Sequence, residues 1–469
     1  MECEVAVVGG GIGGLTVAAL LAQRGVDVCL FERESQVGGC AANYEKFDHT
    51  FEQGYGLYSS WQPNAIHDRV FSELPVSPPE TRVLEPGLVV RLPDQAEVEL
   101  TNDLGRFEEN LSRVFPECAG EAIEFYRDLL RASASLRSSL HVSITNSSLS
   151  EKLTGLSSRF RSFVDVQLQA LLNAPSHVVA YHHAALALTA PIEGVFAIRG
   201  GSGALANRLA ESIKKSGGRV RLNTPVLRMS YGSAGEARGL DLLSGETVVA
   251  SRAIVSNLTI WDTYGKLIGI NRSPPEVRRQ LKSLHGWGAY LLYLSMDDQA
   301  ANRLTATHIL NLTEWPTDQR FDPEENHLMF AATPAWDPRA PAGKRAVTVH
   351  AFTPADDWFT YHQDETELEA RDQVMLEKCW RRLHSAMPEL GGDIEVVDTA
   401  SPRTFYELTR RRLGMVGNPG EAASPSCGLS ANYSTSLANT YLISDTTSPG
   451  GLAGLTRSAL ELANHLTSP

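Results

Sequence analysis

The residues in this sequence best suited to chemistry are three glycines and an acid close to the N-terminus. Gly9, Gly11 and Gly14 have the spacing G-x-G-x-x-G, and Glu32 follows the third glycine. In this pattern the first glycine permits a tight turn, the second lets the backbone approach a diphosphate, and the third lets a helix pack closely on a strand. The acid, roughly 20 residues further on, can accept hydrogen bonds from a ribose. The spacing predicts a dinucleotide-binding site; the alternative is a glycine turn that only packs tightly in an α/β core.

Three elements must position these residues. Residues 5–8 are an apolar, β-prone run, which predicts a strand buried on both faces of a parallel sheet. Residues 15–24 predict a helix that stops at Gly25, and residues 26–31 predict a second strand that ends on Glu32. The glycines thus lie at the N-terminus of a helix, where unpaired backbone N–H groups and the helix dipole favour phosphate.

The residues after the second strand distinguish between cofactors. A carboxylate at Glu32 would repel the 2′-phosphate of NADP. Gly38 and Gly39 follow, and this order of motifs resembles the FAD-binding signature of the amine oxidase and phytoene desaturase superfamily. The resemblance implies an α/β fold, with a Rossmann-like FAD-binding domain of the glutathione reductase or amine oxidase type and an inserted α+β substrate domain. It also implies FAD, and we expect non-covalent binding because no histidine or cysteine lies in a recognisable flavin-attachment motif.

Two later segments resemble further motifs of the same superfamily. A Gly-Gly-x-Gly segment at 200–203, a helix and a strand ending in T-P-V match its second motif, which implies that the backbone of Val226 meets the adenine. An apolar strand ends at Asp445, and a turn and a helix over 449–466 match its closing motif. There the resemblance implies that Asp445 binds the ribityl chain and that the helix N-terminus faces the flavin, whose anionic reduced form the helix dipole stabilises. Ser444 stands where the family usually has glycine.

The predicted cofactor site draws on all three motifs and on a glycine segment expected to pass near the flavin ring. Its residues are Gly9, Gly11, Gly13, Gly14, Glu32, Arg33, Gly39, Cys40, Gly54, Val226, Asp445, Gly451 and Leu452. Catalytic residues are not identified, since a structural role is the simpler interpretation of Glu52 and His49. No metal site is expected, because the adjacent His182 and His183 would point about 100° apart on a helix.

Composition and charge exclude several classes of protein. The chain has 469 residues, a formal net charge of −13, and 42% hydrophobic and 21% charged residues. Such an acidic protein is unsuited to non-specific binding of nucleic acid or anionic lipid. Glu2 and Glu4 stand where a secretory signal needs positive charge, and the glycines within residues 5–22 mark a nucleotide turn rather than a membrane span. The six cysteines, without a C-x-x-C, fit a reducing cytoplasm: Cys3, Cys29, Cys40, Cys118, Cys379 and Cys427.

The order of motifs predicts two domains that are each discontinuous in sequence. Residues 1–75, 196–280 and 400–469 are expected to form the FAD-binding domain. Residues 76–195 and 281–399 are expected to form the substrate-binding domain, a helical block plus a sheet. Further helices are predicted over 107–115, 121–140, 160–172, 178–188, 204–215 and 366–387, and further strands over 219–226, 248–257, 290–294, 328–333, 346–352, 394–397 and 441–445.

Within the superfamily, the resemblance is closest to phytoene desaturases, carotenoid cis–trans isomerases and retinol saturases, whose G-G-C-A-N loop is similar to residues 37–43. It implies hydride transfer between FAD and a hydrophobic isoprenoid or polyene, in desaturation, saturation or isomerisation. A flavin amine or amino-acid oxidase is the alternative, and a non-enzymatic prenyl-binding escort protein on the same fold is a second. The sequence leaves open the oligomeric state and any peripheral contact with a membrane.

A polyene substrate requires a cavity with apolar walls. We therefore expect a hydrophobic tunnel that runs from the flavin between the helical block and the second sheet. Its walls are expected to come from residues 160–190 and 285–350, the long apolar stretches not needed to build the cofactor domain. The candidates for this lining are Phe163, Leu168, Leu171, Leu186, Trp287, Tyr290 and Phe330.

Overall fold

The structure, a computed structural model, describes residues 1–138, 148–233, 235–317, 320–359, 365–417, 433–448 and 450–468. Three residues named in the sequence predictions lie outside these ranges. They are Leu140, at the end of a predicted helix, Cys427, and Pro449, at the start of the predicted closing turn.

Strands and helices alternate irregularly along the described residues. The strands are β1 Glu2–Val8, β2 Val28–Phe31, β3 Asn43–Lys46, β4 His49–Glu52, β5 Thr81–Leu84, β6 Leu88–Arg91, β7 Glu97–Leu100, β8 Val195–Ile198, β9 Arg219–Arg221, β10 Val226–Tyr231, β11 Ala237–Leu242, β12 Thr247–Ser256, β13 Trp287–Asp297, β14 His308–Leu312, β15 His327–Ala332, β16 Lys344–Pro354, β17 Ile394–Ala400 and β18 Thr440–Leu442. The α-helices are α1 Ile12–Gln23, α2 Ile66–Glu73, α3 Leu104–Val114, α4 Ala119–Ser138, α5 Leu149–Lys152, α6 Ser158–Leu172, α7 Tyr181–Glu193, α8 Gly201–Lys215, α9 Ile260–Asp262, α10 Pro275–Ser283, α11 Asp298–Ala301, α12 Pro323–Asn326, α13 Glu365–Ala386, α14 Pro402–Thr409 and α15 Gly451–Thr467.

The first sheet has the strand order β10-β11-β12-β1-β2-β9, and β18 also pairs with β12. Strand β1 is parallel to both β12 and β2, and β2 is parallel to β9. The carboxyl ends of these strands therefore meet at one edge of the sheet, which is where open α/β sheets bind ligands.

Helix α1 is buried on almost every side. Ten of its residues have hydrophobic or glycine side chains, and every position from Ile12 to Ala22 is buried. A helix that is apolar all round is a core helix. Helix α1 packs between the first sheet and helices α8 and α15, so its N-terminus is held rigidly at the sheet edge.

The second sheet has the order β17-β13-β16-β15-β14-β6-β7, and its pairs are antiparallel except β14 with β6. Alternate residues of β13 face opposite sides, as the two-residue period of a strand requires. Tyr290 and Leu292 pack in the cluster beneath helix α13, whereas Ala289 and Leu291 pack on the other side with Phe51. This second side faces the edge of the first sheet.

Helices α3, α4, α6 and α7 pack into one block over the edge of the second sheet formed by β6, β7 and β14. Aromatic side chains fill its centre, where Phe115 meets Phe160 edge-on at 5.2 Å and Phe163 at 5.2 Å between ring centroids. Asp103 accepts a hydrogen bond from the backbone N–H of Arg106 and so caps α3. The last residues of α6 emerge from this block toward the first sheet.

Two predicted strands need correction. The strand predicted over 219–226 is two strands, β9 and β10, because Asn223 has a φ of +50° and Pro225 cannot donate to a ladder. The strand predicted over 441–445 is β18, which already ends at Leu442, so Asp445 lies in the following turn. Strand β14 had no prediction, although it is buried along its whole length.

Among the described residues, no helix combines the length and the apolar character that crossing a membrane would need.

Candidate functional site

A cavity of about 660 Å³ opens at the carboxyl edge of the first sheet, next to the ends of β1, β2 and β12. It extends from this edge to the C-terminal end of α6 and to the near side of the second sheet. Twelve of the predicted residues line it together: Gly9, Gly11, Gly13, Glu32, Arg33, Gly39, Cys40, Gly54, Val226, Asp445, Gly451 and Leu452. The fold thus collects residues from the three separate motifs around one space, and their individual contacts with a cofactor stay a prediction.

The glycine turn is held by the acid that follows it in sequence. Gly9 has a φ of +98°, and the backbone N–H of Gly10 donates to Glu32 Oε2 at 2.6 Å. The other carboxylate oxygen of Glu32 accepts from the N–H of Glu34 at 2.8 Å. The backbone N–H of Gly38 donates to the carbonyl oxygen of Gly10 at 2.7 Å, which closes the second glycine loop over the first.

Gly14 is the predicted site residue that does not line the cavity. A Cβ atom at this position would lie 2.3 Å from the carbonyl oxygen of Gly9 and 3.0 Å from Cβ of Asn257. Because Gly14 has only a hydrogen atom as its side chain, α1 can pack against the end of β1, which is the role of the third glycine in such a turn. Gly14 therefore supports the site structurally without lining the cavity.

Two helix N-termini open onto the same cavity. Gly11 precedes α1 and Gly450 precedes α15, and no side chain among the described residues caps the first turn of either helix. The first backbone N–H groups of each helix are therefore available to a ligand, and the dipole of each favours negative charge there. Gly13, in the first turn of α1, lies close to Ile443: a Cβ atom at position 13 would be 2.7 Å from the Ile443 side chain. This pair of N-termini suits a diphosphate at α1 and an anionic ring edge at α15.

One end of the cavity is built where β2 meets the loop before β10. The N–H of Glu32 donates to the carbonyl oxygen of Arg221, and the N–H of Thr224 donates to that of Glu32, at 2.9 and 2.8 Å. Glu32 and Val226 are thereby brought to the same end, although they are far apart in sequence. Arg33 donates to the carbonyl oxygen of Leu408 at 3.1 Å. An acid beside an exposed strand edge is the arrangement that an adenosine would need.

Asp445 pairs with an arginine on the cavity wall that sequence reasoning missed. Arg411 Nη1 lies 3.0 and 2.9 Å from the two carboxylate oxygens. Burial raises the pKa of the neighbouring Cys40 thiol, and Arg411 only partly offsets the effect. Arg411 stands in a run of three arginines, and nothing in the sequence distinguishes it from the two beside it.

The opposite end of the cavity, formed by α6, β13 and β16, has apolar and uncharged polar side chains, and the Arg411–Asp445 pair borders it at Val416. Gln53, Tyr55 and His350 are its polar side chains there, together with Asn173. The rings of Tyr55 and His350 meet edge-on with centroids 4.7 Å apart. Burial lowers the pKa of His350 to about 3 and raises that of Tyr55, so both are uncharged at neutral pH. Gln53 Oε1 and His350 Nε2 are buried without a hydrogen-bond partner among the described residues.

Glu52 lies just behind this end and serves a structural role. Its Oε2 is 2.9 Å from Arg339 Nη1, while Oε1 accepts from the hydroxyl of Tyr58 and from the N–H of Ser202 at 3.0 Å. Burial alone would raise the pKa of Glu52, but Arg339 and the hydrogen bonds together lower it below 4.5. The carboxylate is therefore ionised and fully engaged, which does not suit an acid or base in catalysis.

Most of the predicted tunnel lining is wrong. Leu171 lines the cavity, beside Ala170, Leu172 and Ala289, and the other candidates do not. Tyr290 and Phe330 lie on the face of the second sheet that packs under α13. The remaining candidates that do not reach the cavity are Phe163, Leu168, Leu186 and Trp287. Neighbouring residues of a strand point to opposite faces of the sheet. Ala289 on β13 and His350 on β16 therefore line the cavity, where Tyr290 and Phe330 were expected.

Comparison with known proteins agrees with this geometry. The chain is 26% identical to an all-trans-retinol 13,14-reductase of Danio rerio, over 98% of this chain and 85% of that protein. It is 23% identical to a chloroplastic prolycopene isomerase of Arabidopsis thaliana, over 95% and 79% respectively. A crystal structure of an oxidoreductase from Methanosarcina mazei superposes with a TM-score of 0.71 at 17% identity, and 98% and 99% of the two chains are covered.

The fold and the comparisons together show an FAD-dependent oxidoreductase with a Rossmann-like cofactor domain and an added substrate domain, which confirms the predicted fold class. Residues 12–461 match the family of flavin containing amine oxidoreductases, and the chain belongs to that family. FAD is its cofactor, bound non-covalently as in the family generally. The uncapped N-termini of α1 and α15 and the two glycine loops leave a cradle that side chains would fill, so the residues present fit this group.

Proposed function

We propose that this protein is a flavoenzyme that acts on a hydrophobic isoprenoid or polyene, in desaturation, saturation or cis–trans isomerisation. The observation that carries the proposal is the apolar wall at the end of the cavity formed by α6 and β13. Its walls include Ala170, Leu171, Leu172, Ala289 and Val416. A polyene has no group to ionise and is recognised by apolar walls with a few polar groups. The two relatives named for retinol and prolycopene support the same substrate class.

Residues at one end of the cavity would bind the cofactor, and residues at the other end would contact the substrate. FAD, when bound, supplies or accepts the hydride. The glycine turn and Glu32 would hold its adenosine diphosphate half, and the N-terminus of α15 would stabilise negative charge at the other half. Leu171 and Ala289 would press the polyene against the reactive edge and exclude water. Tyr55 is protonated at neutral pH, lies beside His350 and supplies a hydroxyl group at this end.

The amine oxidase alternative has less support. An amine substrate would need an aromatic cage near the flavin or a carboxylate to pair with its cation. Among the described lining residues at this end, Tyr55 is the aromatic side chain, and the carboxylate of Asp445, which borders it, is already paired with Arg411. Tyr433 and Tyr441, the aromatic residues of the C-terminal segment, pack instead against His465.

We also propose the two-domain division at the bounds expected from the sequence. The first sheet takes its strands from residues 2–31, 219–256 and 440–442, and the second takes its strands from 88–100 and 287–400. These ranges fall within the domains 1–75, 196–280 and 400–469, and 76–195 and 281–399, apart from the last residue of β17.

Peripheral contact of a cytoplasmic protein with a membrane would deliver a hydrophobic isoprenoid or polyene to the cavity, and cosedimentation with lipid vesicles tests this contact.

The proposed function is tested with the purified, FAD-loaded protein. It is incubated with an all-trans polyene alcohol, a poly-cis carotene and a primary amine, each with and without dithionite, and products are separated by chromatography. A polyene with one double bond more or fewer, or with changed geometry, supports the proposal. Oxidation of the amine in air with release of hydrogen peroxide would overturn it. A polyene that is retained unchanged would support the prenyl-escort alternative.

A further inference from the structure

Arg411 uses its guanidinium to join three segments at the cavity wall. Nη1 contacts both oxygens of Asp445 and lies 3.7 Å from Sγ of Cys40. Nε donates to the carbonyl oxygen of Met415 at 2.7 Å, and Nη2 donates to that of Gly417 at 3.0 Å. The arginine is 8% exposed, so its cation is almost wholly enclosed by these partners. Such contacts fix both the arginine and the carboxylate it holds.

Asp445 remains open on the side that faces the cavity. Its side chain is 30% exposed, against 10% for that of Arg411. Among the described residues, the hydroxyl of Ser444 is the other donor to this carboxylate, at 3.3 Å from Oδ1. A carboxylate offers about four lone-pair positions, so at least one remains for a hydroxyl group of a bound cofactor. The pair thus presents an acceptor to the cavity while its summed charge is zero.

The charge of this pair matters because a flavin gains negative charge on reduction. At an effective dielectric constant of about 20, a unit charge within about 10 Å shifts an equilibrium by more than tenfold. An unpaired carboxylate at Asp445 would oppose the reduced flavin, and an unpaired guanidinium would favour it. The dipole of α15, which begins at Gly451 on the same wall, also favours the reduced form.

We propose that Arg411 is a positioning residue for the cofactor, which fixes the carboxylate of Asp445 and cancels its charge. The acid can then hold the cofactor without opposing flavin reduction. This inference depends on FAD binding alone and does not depend on the polyene substrate.

The test measures the ratio of reduced to oxidised flavin in equilibrium with a redox dye, in protein loaded with FAD. In Arg411→Met the unpaired carboxylate should lower this ratio at least about tenfold, or about 30 mV for a two-electron couple. In Asp445→Asn the unpaired guanidinium should raise it. The double variant carries neither charge, so its ratio should return to within a factor of about three of the wild type.

Two controls separate this role from a structural one. Arg412→Met makes the same change one residue away, at an exposed arginine whose cation lies 5.8 Å from the ring of Trp261, and should leave the ratio unchanged. Arg411→Lys retains the charge and should restore most of the ratio. A shift of the same sign in Arg411→Met and Asp445→Asn would overturn the proposal, as would a double variant that stays at the Arg411→Met value.

The experiment remains decisive if Arg411→Met does not fold or load. Asp445→Asn and the double variant then carry the test, and an unchanged or lowered ratio in Asp445→Asn would contradict the proposal. The readout comes from the flavin alone, so a protein that fails to convert any polyene can still confirm or refute the role of Arg411.

Discussion

Arg339 Nη1 lies 2.9 Å from Oε2 of Glu52, and both side chains are almost completely buried. Arg339 also pairs through Nε with Asp337 at 2.9 Å, and Asp337 accepts from the N–H of Gly200 just before α8. The N–H of Ser202 in that helix donates to Glu52. The loop between β15 and β16 is thereby tied to the first turn of α8 and to β4, directly behind the substrate end of the cavity.

Breaking this pair should destabilise the protein strongly. Arg339→Met would leave two buried carboxylates without their cation, and we expect a loss of about 3–5 kcal/mol in the free energy of unfolding. Arg238→Met, which removes an exposed partner of Glu236, should cost less than about 1 kcal/mol. Chemical denaturation measures both values. Equal losses of unfolding free energy in the two variants would show that the buried pair stabilises the protein no more than the exposed pair does.

The same carboxylate should make the protein sensitive to acid. The pKa of Glu52 is lowered in the folded state, so its contribution to stability is complete above about pH 4.5 and is lost as the pH falls toward the folded value. The free energy of unfolding of the wild type should therefore fall more steeply below pH 4.5 than that of Glu52→Gln. Denaturation curves across this range, one set for each protein, measure the difference. Parallel pH profiles would contradict the prediction.

Gly14→Ala should abolish FAD binding or prevent folding, because its Cβ atom would lie 2.3 Å from the carbonyl oxygen of Gly9. Gly120→Ala is the matched control, since Gly120 also lies in a helix and a Cβ atom there would meet no atom of the described residues within 4 Å. That change, at an exposed position in the first turn of α4, should alter the free energy of unfolding by less than about 0.5 kcal/mol. Flavin absorbance of the purified variants and thermal unfolding provide the comparison. Normal flavin content in Gly14→Ala would refute the close packing.

Glu32→Ala should weaken FAD binding by about 1.5–3 kcal/mol, the range for hydrogen bonds to a charged group. It should also loosen the glycine turn, since the N–H groups of Gly10 and Glu34 would lose their acceptor. The visible spectrum of any loaded protein should not change. Titration of the apoprotein with FAD measures the affinity, and Glu73→Ala, at an exposed ion pair, is the control. An unaltered affinity in Glu32→Ala would rule out the ribose contact.

Leu171→Trp should block a long polyene and leave reduction of the flavin by dithionite intact. Leu171 lines the cavity, whereas Leu186, on the next helix, does not. Leu186→Trp is therefore the control and should retain turnover. Substrate conversion and the rate of flavin bleaching are measured side by side in both variants. If both variants convert the polyene as well as the wild type, the substrate does not enter past α6.

The cofactor end of the site could be read from the sequence because its determinants are local. Gly9, Gly11 and Glu32 follow one another within a single strand-helix-strand unit, where spacing alone decides which backbone groups meet a phosphate. The closing motif around Asp445 is similarly compact. Family membership and FAD follow from these short segments, and the predicted fold class is confirmed with them.

The substrate end and the charge balance depended on tertiary structure. Tyr290 and Ala289 are neighbours in sequence with similar burial, and only the packing of α13 decides which of the two faces the cavity. Arg411 became distinguishable from Arg410 and Arg412 only when the fold brought it to Asp445. Sequence spacing determines contacts within a turn or a helix. Contacts between segments far apart in sequence depend on which faces the sheets and helices bury, and these faces are chosen by the packing of the whole chain.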